Sequence, residues 1–429
     1  MSKKDIFISI ASFRDTELVP TINNLIENCS DPKRLKFNIF MQFGDELRPF
    51  ELIQKTQKRG ATLNVKCVPH QESKGVCWAR HHLLSLYNGE DFYLQLDSHH
   101  RASKSWDLEC IKMVDDLKDI GYNPTLSAYL PSYSPFDESR VDEAWRLSVD
   151  RFTPEGCLFF IPDTMPNFKK RKLPMRSRFA SGHFIFSEGD ICSIPFYNPD
   201  YFFHGEEIFA SCSLERHNKQ LFAPSKPLLW HEYSRNYRGN KKVWDTMPDW
   251  VERNNKCHSI NRQYFHIDPR GDYDFTPYEK NAKFSIQDYE KFAGIHFKSR
   301  SVHPDTLLCK EPPILYNYKN YSQFIKACIP VRRHCLDVWN GDLPDLDNLE
   351  FVAVIYESNG TQLFREEFNG LKLKSVFQEK KIKKEEFFKF WSEFRMKDSE
   401  RYIMPTNAVV WPYLKDGGWG RKLDFDLRN

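Results

Sequence analysis

Short apolar runs rich in Ile, Phe, Val and Leu alternate, through the first quarter of the chain, with segments whose apolar residues recur at helical spacing. Ile6 to Ser12, Phe37 to Met41, Ala61 to Val68 and Phe92 to Asp97 read as strands. Leu18, Ile22, Leu25 and Ile26, with Pro20 near the start, read as a helix, as do residues 46–58 and Gly75 to Tyr87. Near-continuous hydrophobic strands separated by helices predict an α/β fold built on a doubly wound, largely parallel sheet. Farther on, Trp106 to Leu117 reads as a helix and Thr125 to Leu130 as a strand. Pro131, Pro135, Pro154, Pro162, Pro166 and Pro174 then mark a long irregular segment. Phe179 to Phe186, Leu221 to Pro224 and Leu228 to Tyr233 read as further strands, with a helix over 207–219.

The pattern changes near Ser301. Pro304, Pro312-Pro313 and the Tyr316 to Tyr321 run suggest a boundary between a domain over 1–300 and an accessory module over 301–429. In that module Phe351 to Tyr356 and Thr361 to Arg365 flank Glu357-Ser358-Asn359-Gly360, a hairpin signal, and Glu385 to Phe394 reads as a helix. A smaller α+β or β-rich module is expected, suited to acceptor binding or to self-association as a homo-oligomer.

Composition narrows the function classes. With 62 basic against 59 acidic residues, no global charge argues for nucleic acid. The first apolar run is too short for a signal sequence, and no stretch approaches the roughly 20 apolar residues that span a bilayer. A soluble, cytoplasmic protein is the expectation. The 11 cysteines form no C-x-x-C pair, which favours reduced thiols. The clusters Lys169-Lys170-Arg171-Lys172 and Lys380-Lys381-Ile382-Lys383-Lys384 read as solvated faces, or as guides to an anionic acceptor or peripheral contacts with a membrane surface.

The candidate chemistry gathers at strand ends. The run Asp91 to His100 is an apolar strand that ends in Asp97-Ser98-His99-His100, and ligands in open α/β sheets sit beyond such carboxyl ends. Asp97 and His99 can turn carboxylate and imidazole donors toward one divalent cation, although an isolated D-x-H is as readily a satisfied strand end. Ser73 to Arg80 places Gly75 and two cations, Lys74 and Arg80, at a helix start that reads as a plain solvated one or as a seat for an anion. Gly205-Glu206-Glu207 delivers two carboxylates to another helix start, and His231 ends another apolar run.

Taken in order, Ile8-Ser9-Ile10-Ala11-Ser12-Phe13-Arg14-Asp15, Cys77-Trp78-Ala79-Arg80, Tyr93-Leu94-Gln95-Leu96-Asp97-Ser98-His99, Gly205-Glu206-Glu207-Ile208 and Trp230-His231 resemble a known family. It is that of the retaining N-acetylglucosaminyltransferases typified by the enzyme that modifies hydroxyproline on Skp1, with a more distant similarity to polypeptide N-acetylgalactosaminyltransferases. The resemblance covers residues 5–265.

The resemblance implies a GT-A fold and transfer of GlcNAc, or a related sugar, from a UDP-sugar donor to a hydroxyl on a protein, a glycan or a growing polysaccharide. It implies Mn2+, or Mg2+, held by Asp97, His99 and His231. Ser12, Arg14, Asp15, Arg80, Ser98, Gly182 and His183 would contact the donor, and Glu206 and Glu207 would meet the donor sugar or acceptor as the catalytic carboxylates. Retention follows from the resemblance alone, and attack from the face the diphosphate leaves is the favoured route. His100, followed by Arg101-Ala102, departs from the family's pattern and its role is open. The rival readings are a metal-dependent hydrolase and a non-catalytic carbohydrate-binding protein.

Overall fold

The computed structural model describes residues 4–153, 155–238, 242–314, 318–331, 334–392 and 405–427. The chain divides into two compact units, Met1–Cys328 and Ile329–Asn429. Residues 301–328, grouped by sequence with the C-terminal module, fall in the first unit. There Ser301–Val302 pairs with Ile295–His296 and Arg146 donates to the Cys309 carbonyl at 2.7 Å.

The first unit is organised around an eight-stranded sheet. Its first half comprises β1 (Ile6–Phe13), β2 (Leu35–Phe43), β3 (Thr62–Pro69) and β4 (Phe92–Leu96), parallel throughout and ordered β3-β2-β1-β4. The helices α1 (Leu18–Asn28), α2 (Pro49–Lys55) and α3 (Val76–Leu84) connect these strands, as the hydrophobic pattern predicts. β1 and β4 are nearly continuous apolar runs because both their faces are covered, and every residue of β4 is buried. Truncating Leu94 or Leu96 to Ala would cost about 2–5 kcal/mol through the cavity it leaves.

Beyond β4 lie β5 (His100–Ala102), α4 (Trp106–Asp119), β6 (Pro124–Leu126), β7 (Trp145–Phe152), β8 (Leu158–Thr164) and β9 (Met175–Arg176). They are followed by β10 (Phe184–Glu188), α5 (Glu206–Arg216), β11 (Gln220–Ala223) and β12 (Leu229–His231). The sheet continues β4-β10-β6-β11-β9, and β10 runs antiparallel to β4 with Phe184 opposite Leu96. The segment read as irregular between Pro131 and Pro174 contains the β7–β8 hairpin. Pro162 sits inside β8 opposite Leu147, in a two-stranded ribbon where a missing N–H is tolerated.

The second unit carries a four-stranded antiparallel sheet, in which the hairpin Leu349–Ser358 and Thr361–Asn369 is extended by Asn407–Leu414 and Leu423–Asp426. The helix predicted over Glu385 to Phe394 is instead a strand, Phe387–Ser392, paired with His334–Trp339; residues 393–394 lie outside the described residues. Its burial alternates, with Phe388 and Phe390 packed into the core cluster and Phe387, Lys389 and Trp391 exposed, which is a period of two. Among the described residues of this unit the α-helix is Gly370–Glu379.

Candidate active site

The sheet brings four chain segments to one place. Parallel pairing sets Ile10 beside Leu96, so the ends of β1 and β4 open on the same edge and Asp97 stands just past it. Because β10 is antiparallel, the residues entering it, Gly182 and His183, lie alongside the exit of β4. Antiparallel pairing of β12 with β5 sets His231 opposite His100 and hence beside His99. The α5 start supplies Glu206 and Glu207. Gly75 closes the wall, since its φ of +108° is left-handed and an added Cβ would stand 2.3 Å from the Phe202 carbonyl oxygen.

These segments enclose a cavity of about 480 Å³. Asp97, His99, His231, Arg80, Glu206 and Glu207 line its polar wall. Phe159, Phe160, Phe202, Phe203 and Trp244 form an aromatic wall, with Arg235 and Lys242 also lining it.

Within this cavity one donor atom from each of Asp97, His99 and His231 lies within 4.8 Å of the others. The His231 Nε2 is 3.6 Å and the His99 Nε2 3.9 Å from the Asp97 Oδ2. Both Nε2 atoms, and Nδ1 of His231, are buried without a hydrogen-bond partner among the described residues. A buried unpartnered imidazole nitrogen is costly unless a ligand meets it, so the donor set fits a divalent cation. Burial works against the Asp97 charge, but the neighbouring His231 and Arg80 outweigh it and hold the carboxyl well below its usual range.

The surroundings orient these donors. His99 Nδ1 lies 2.8 Å from Asp15 Oδ2, so the ring donates to the carboxylate and presents the Nε2 lone pair to Asp97. Asp15 also accepts from the Ser98 hydroxyl, the Glu17 N–H at 3.0 Å and the Tyr237 hydroxyl at 3.0 Å. Arg80 is buried and bridges two acids, donating Nη2 to Asp97 Oδ1 at 2.8 Å and Nη1 to Glu206 Oε2 at 2.9 Å. Burial opposes its charge, but Glu206, Tyr197 and Asp97 raise its pKa well above the usual value. Asp97 is thereby left with Oδ2 facing the histidines.

The two glutamates differ. Glu206 accepts from Arg80 and from the Cys77 thiol at 3.3 Å, and burial raises its pKa. Glu207 accepts from the Gly182 N–H at 2.8 Å and the Tyr129 hydroxyl at 2.7 Å. Burial, with the Glu206 charge adding, pushes it up to about 7. Such a carboxyl can hold or release a proton near neutral pH.

The remaining sequence candidates have other placements. His183 stacks on His231 with centroids 4.1 Å apart and planes at 9°, and its Nε2 accepts the Leu130 N–H at 3.1 Å, leaving it no lone pair for a cation. His100 Nδ1 lies 3.1 Å from the Asp97 carbonyl, to which it donates, and the ring falls outside the donor triad. Arg14 is paired with Glu46. Ser12 and Asp15 are buried behind the lining residues, and the Ser98 hydroxyl is engaged by Asp15. Tyr129 and Cys77, which hold the glutamates, were missed as site residues. They occur in runs that read as ordinary strand and helix core, and only the fold sets them against α5.

The sequence matches the family described as glycosyltransferase (GlcNAc) over residues 5–51 and 45–299. No curated protein matches it. Among solved structures, GalNAc-T7 with UDP, GalNAc and Mn2+ is similar at 14% identity over 67% of this chain, with a TM-score of 0.43. The chain spans about half, 54%, of that GalNAc-T7 chain. TarS 1-349 of S. aureus in complex with UDP is similar at 9% identity over 67% of this chain and 69% of its own, with a TM-score of 0.40. Among the described residues no helix is long and apolar enough to cross a membrane.

Proposed function

Because the chain belongs to the GlcNAc glycosyltransferase family, we propose that it is a retaining, metal-dependent transferase moving N-acetylglucosamine from UDP-GlcNAc to an acceptor hydroxyl on a glycan or protein. The observation that carries this reading is the convergence of Asp97, His99 and His231, with the Nε2 atoms of both histidines left unpartnered among the described residues, at a cavity of nucleotide-sugar size. These three residues would hold Mn2+ or Mg2+. When bound, the cation supplies Lewis-acid stabilisation of the charge that develops on a departing diphosphate.

The protein's own groups divide the remaining work. Asp15 fixes the His99 tautomer, and Arg80 fixes one Asp97 oxygen so that the other faces the histidines. Glu206, held by Arg80, and Glu207, held by Gly182 and Tyr129, face the cavity where the donor sugar and acceptor would meet. Glu207 carries the exchangeable proton. The aromatic wall offers stacking surface for sugar or base. The acceptor hydroxyl would attack from the face the diphosphate leaves, its proton passing to the leaving phosphate as the bond from sugar to diphosphate breaks, so neither glutamate would form a covalent bond to the sugar. A cytoplasmic pool of nucleotide sugar would feed the site.

The test is a panel of UDP-sugars incubated with the protein, with and without Mn2+, while UDP release is followed. Release from UDP-GlcNAc above the other donors, and only with the cation, is expected. UDP-GlcNAc that neither binds nor turns over would overturn the proposal.

A further inference from the structure

The helix Trp250–Tyr264 grips the turn at 202–205 that leads into α5. Asn254, Cys257, His258 and Asn261 recur on one of its faces, and each meets that turn. Cys257 Sγ accepts the Phe202 N–H at 2.7 Å and Asn254 Oδ1 accepts the His204 N–H at 3.4 Å. An added Cβ at Gly205 would stand 2.9 Å from Asn261 Oδ1. His258 Nε2 lies 3.0 Å from His204 Nδ1, with the ring centroids 5.2 Å apart.

That last contact fixes a tautomer. Burial pushes His204 down to about 4 and also lowers His258, with the Glu155 charge opposing it in both. Both rings are therefore neutral at pH 7, and one of the two facing nitrogens carries the proton. The other nitrogen of His258, Nδ1, is buried with no hydrogen-bond partner among the described residues. A proton there would be an orphaned buried donor, which folds tolerate less than an unused lone pair. His258 is thus the donor and His204 Nδ1 the acceptor, so His204 carries its own proton on Nε2.

His204 lines the active-site cavity, and Nε2–H is the ring donor it has left for a ligand. The surface around it is aromatic carbon. The Phe159 ring stands edge-on to His204 at 5.1 Å, Phe203 lies at 5.7 Å, and Trp244 lies 5.8 Å from Phe203. The carboxylates of the adjoining helix start are already held, Glu206 by Arg80 and Glu207 by Gly182 and Tyr129. One N–H among aromatic carbons suits a carbonyl that carries a methyl group, and suits a hydroxyl less well, whose own proton needs an acceptor. Taking the donor sugar proposed above as its premise, we propose that His204 Nε2 donates to the acetamido carbonyl of N-acetylglucosamine, with Phe159 and Phe203 against the methyl. This contact selects the acetamido sugar over its 2-hydroxyl counterpart.

Isothermal titration of UDP-GlcNAc, UDP-glucose and UDP, each with Mn2+ present, into wild type and His204→Phe tests this. Wild type should bind UDP-GlcNAc more tightly than UDP-glucose. His204→Phe should weaken UDP-GlcNAc about 10–100-fold, the effect of leaving a buried carbonyl without its donor, and should spare UDP-glucose and UDP. A preference that His204→Phe keeps in full, or an equal loss for all three ligands, would overturn the subsite and leave the donor assignment standing. A wild type with no such preference would overturn the donor assignment and the subsite with it. If His204→Phe does not fold, wild-type crystals grown with UDP-GlcNAc and Mn2+ decide. An acetamido oxygen within hydrogen-bond distance of His204 Nε2 supports the proposal, and an acetamido group turned elsewhere overturns it.

Discussion

The Nδ1 atom of His99 and the Oδ2 atom of Asp15 are 2.8 Å apart, although the two residues come from different strand ends of the sheet. That contact selects the tautomer whose Nε2 lone pair faces Asp97, and it makes Asp15, which touches no other member of the triad, a positioning residue for the cation. Asp15→Asn should weaken Mn2+ binding about 10–100-fold, the usual effect of losing such a support. Isothermal titration of Mn2+ into both proteins measures it, and an unchanged affinity would detach Asp15 from the site.

Arg80 spans Asp97 and Glu206 while buried, so its removal leaves two acids without their cation. Arg80→Met should destabilise the protein by about 3–5 kcal/mol in urea unfolding. Arg80→Lys should lose less, since one ammonium keeps the charge but cannot span both carboxylates with a planar fork.

Glu207 gives a stability dependence of defined sign. Its folded-state value of about 7 lies above the ordinary glutamate value of 4.5, so between these pH values the unfolded chain releases a proton that the folded chain keeps. This contribution makes the protein less stable as pH rises through that window. Glu207→Gln should therefore gain about 3 kcal/mol on wild type between pH 4.5 and 7.5, as read by urea unfolding at both ends. A gap that does not change with pH would contradict the assignment.

Retention has a direct readout in slow hydrolysis of UDP-GlcNAc, whose sugar is α-linked. Proton NMR of the first-released sugar should show the α anomer, with no sugar covalently attached to Glu206 or Glu207 by mass spectrometry. Early β anomer would exclude retention, and an adduct on either glutamate would exclude same-face attack.

Much of this was legible in the sequence where one physical signal dominated. The runs at Ile6, Phe37 and Phe92 are apolar because both faces of their strands are covered, so their ends could be placed, and with them Asp97. His231 was legible for the same reason. The β7–β8 hairpin was not, because the prolines around it mask an apolar–polar alternation that runs only from Trp145 to Asp150 and breaks at the register shift between Val149 and Arg151. Phe387–Ser392 reads as helix because its lysine and aromatic residues suit both periods, and only pairing with His334–Trp339 selects the strand. The links from Asp15 to His99 and from Tyr129 to Glu207 join residues 84 and 78 positions apart, which no local pattern encodes. The exclusion of His183 from the cation likewise depends on a backbone N–H, that of Leu130, delivered by a neighbouring segment.

His100 and His231 separate under substitution. His100 Nδ1 is engaged by the Asp97 carbonyl and the ring stands outside the triad, so His100→Ala should leave the stoichiometry of Mn2+ binding at one. Loss of the site in that variant would make His100 a ligand.

The central claim is that Asp97, His99 and His231 hold the cation on which sugar transfer depends. Its most direct test is UDP release from UDP-GlcNAc by protein stripped with EDTA and then resupplied with Mn2+, in wild type and in His231→Ala. Wild type should lose activity on stripping and regain it with Mn2+, while His231→Ala stays inactive across the same titration. Activity that survives EDTA, or that Mn2+ restores equally in His231→Ala, would contradict the account.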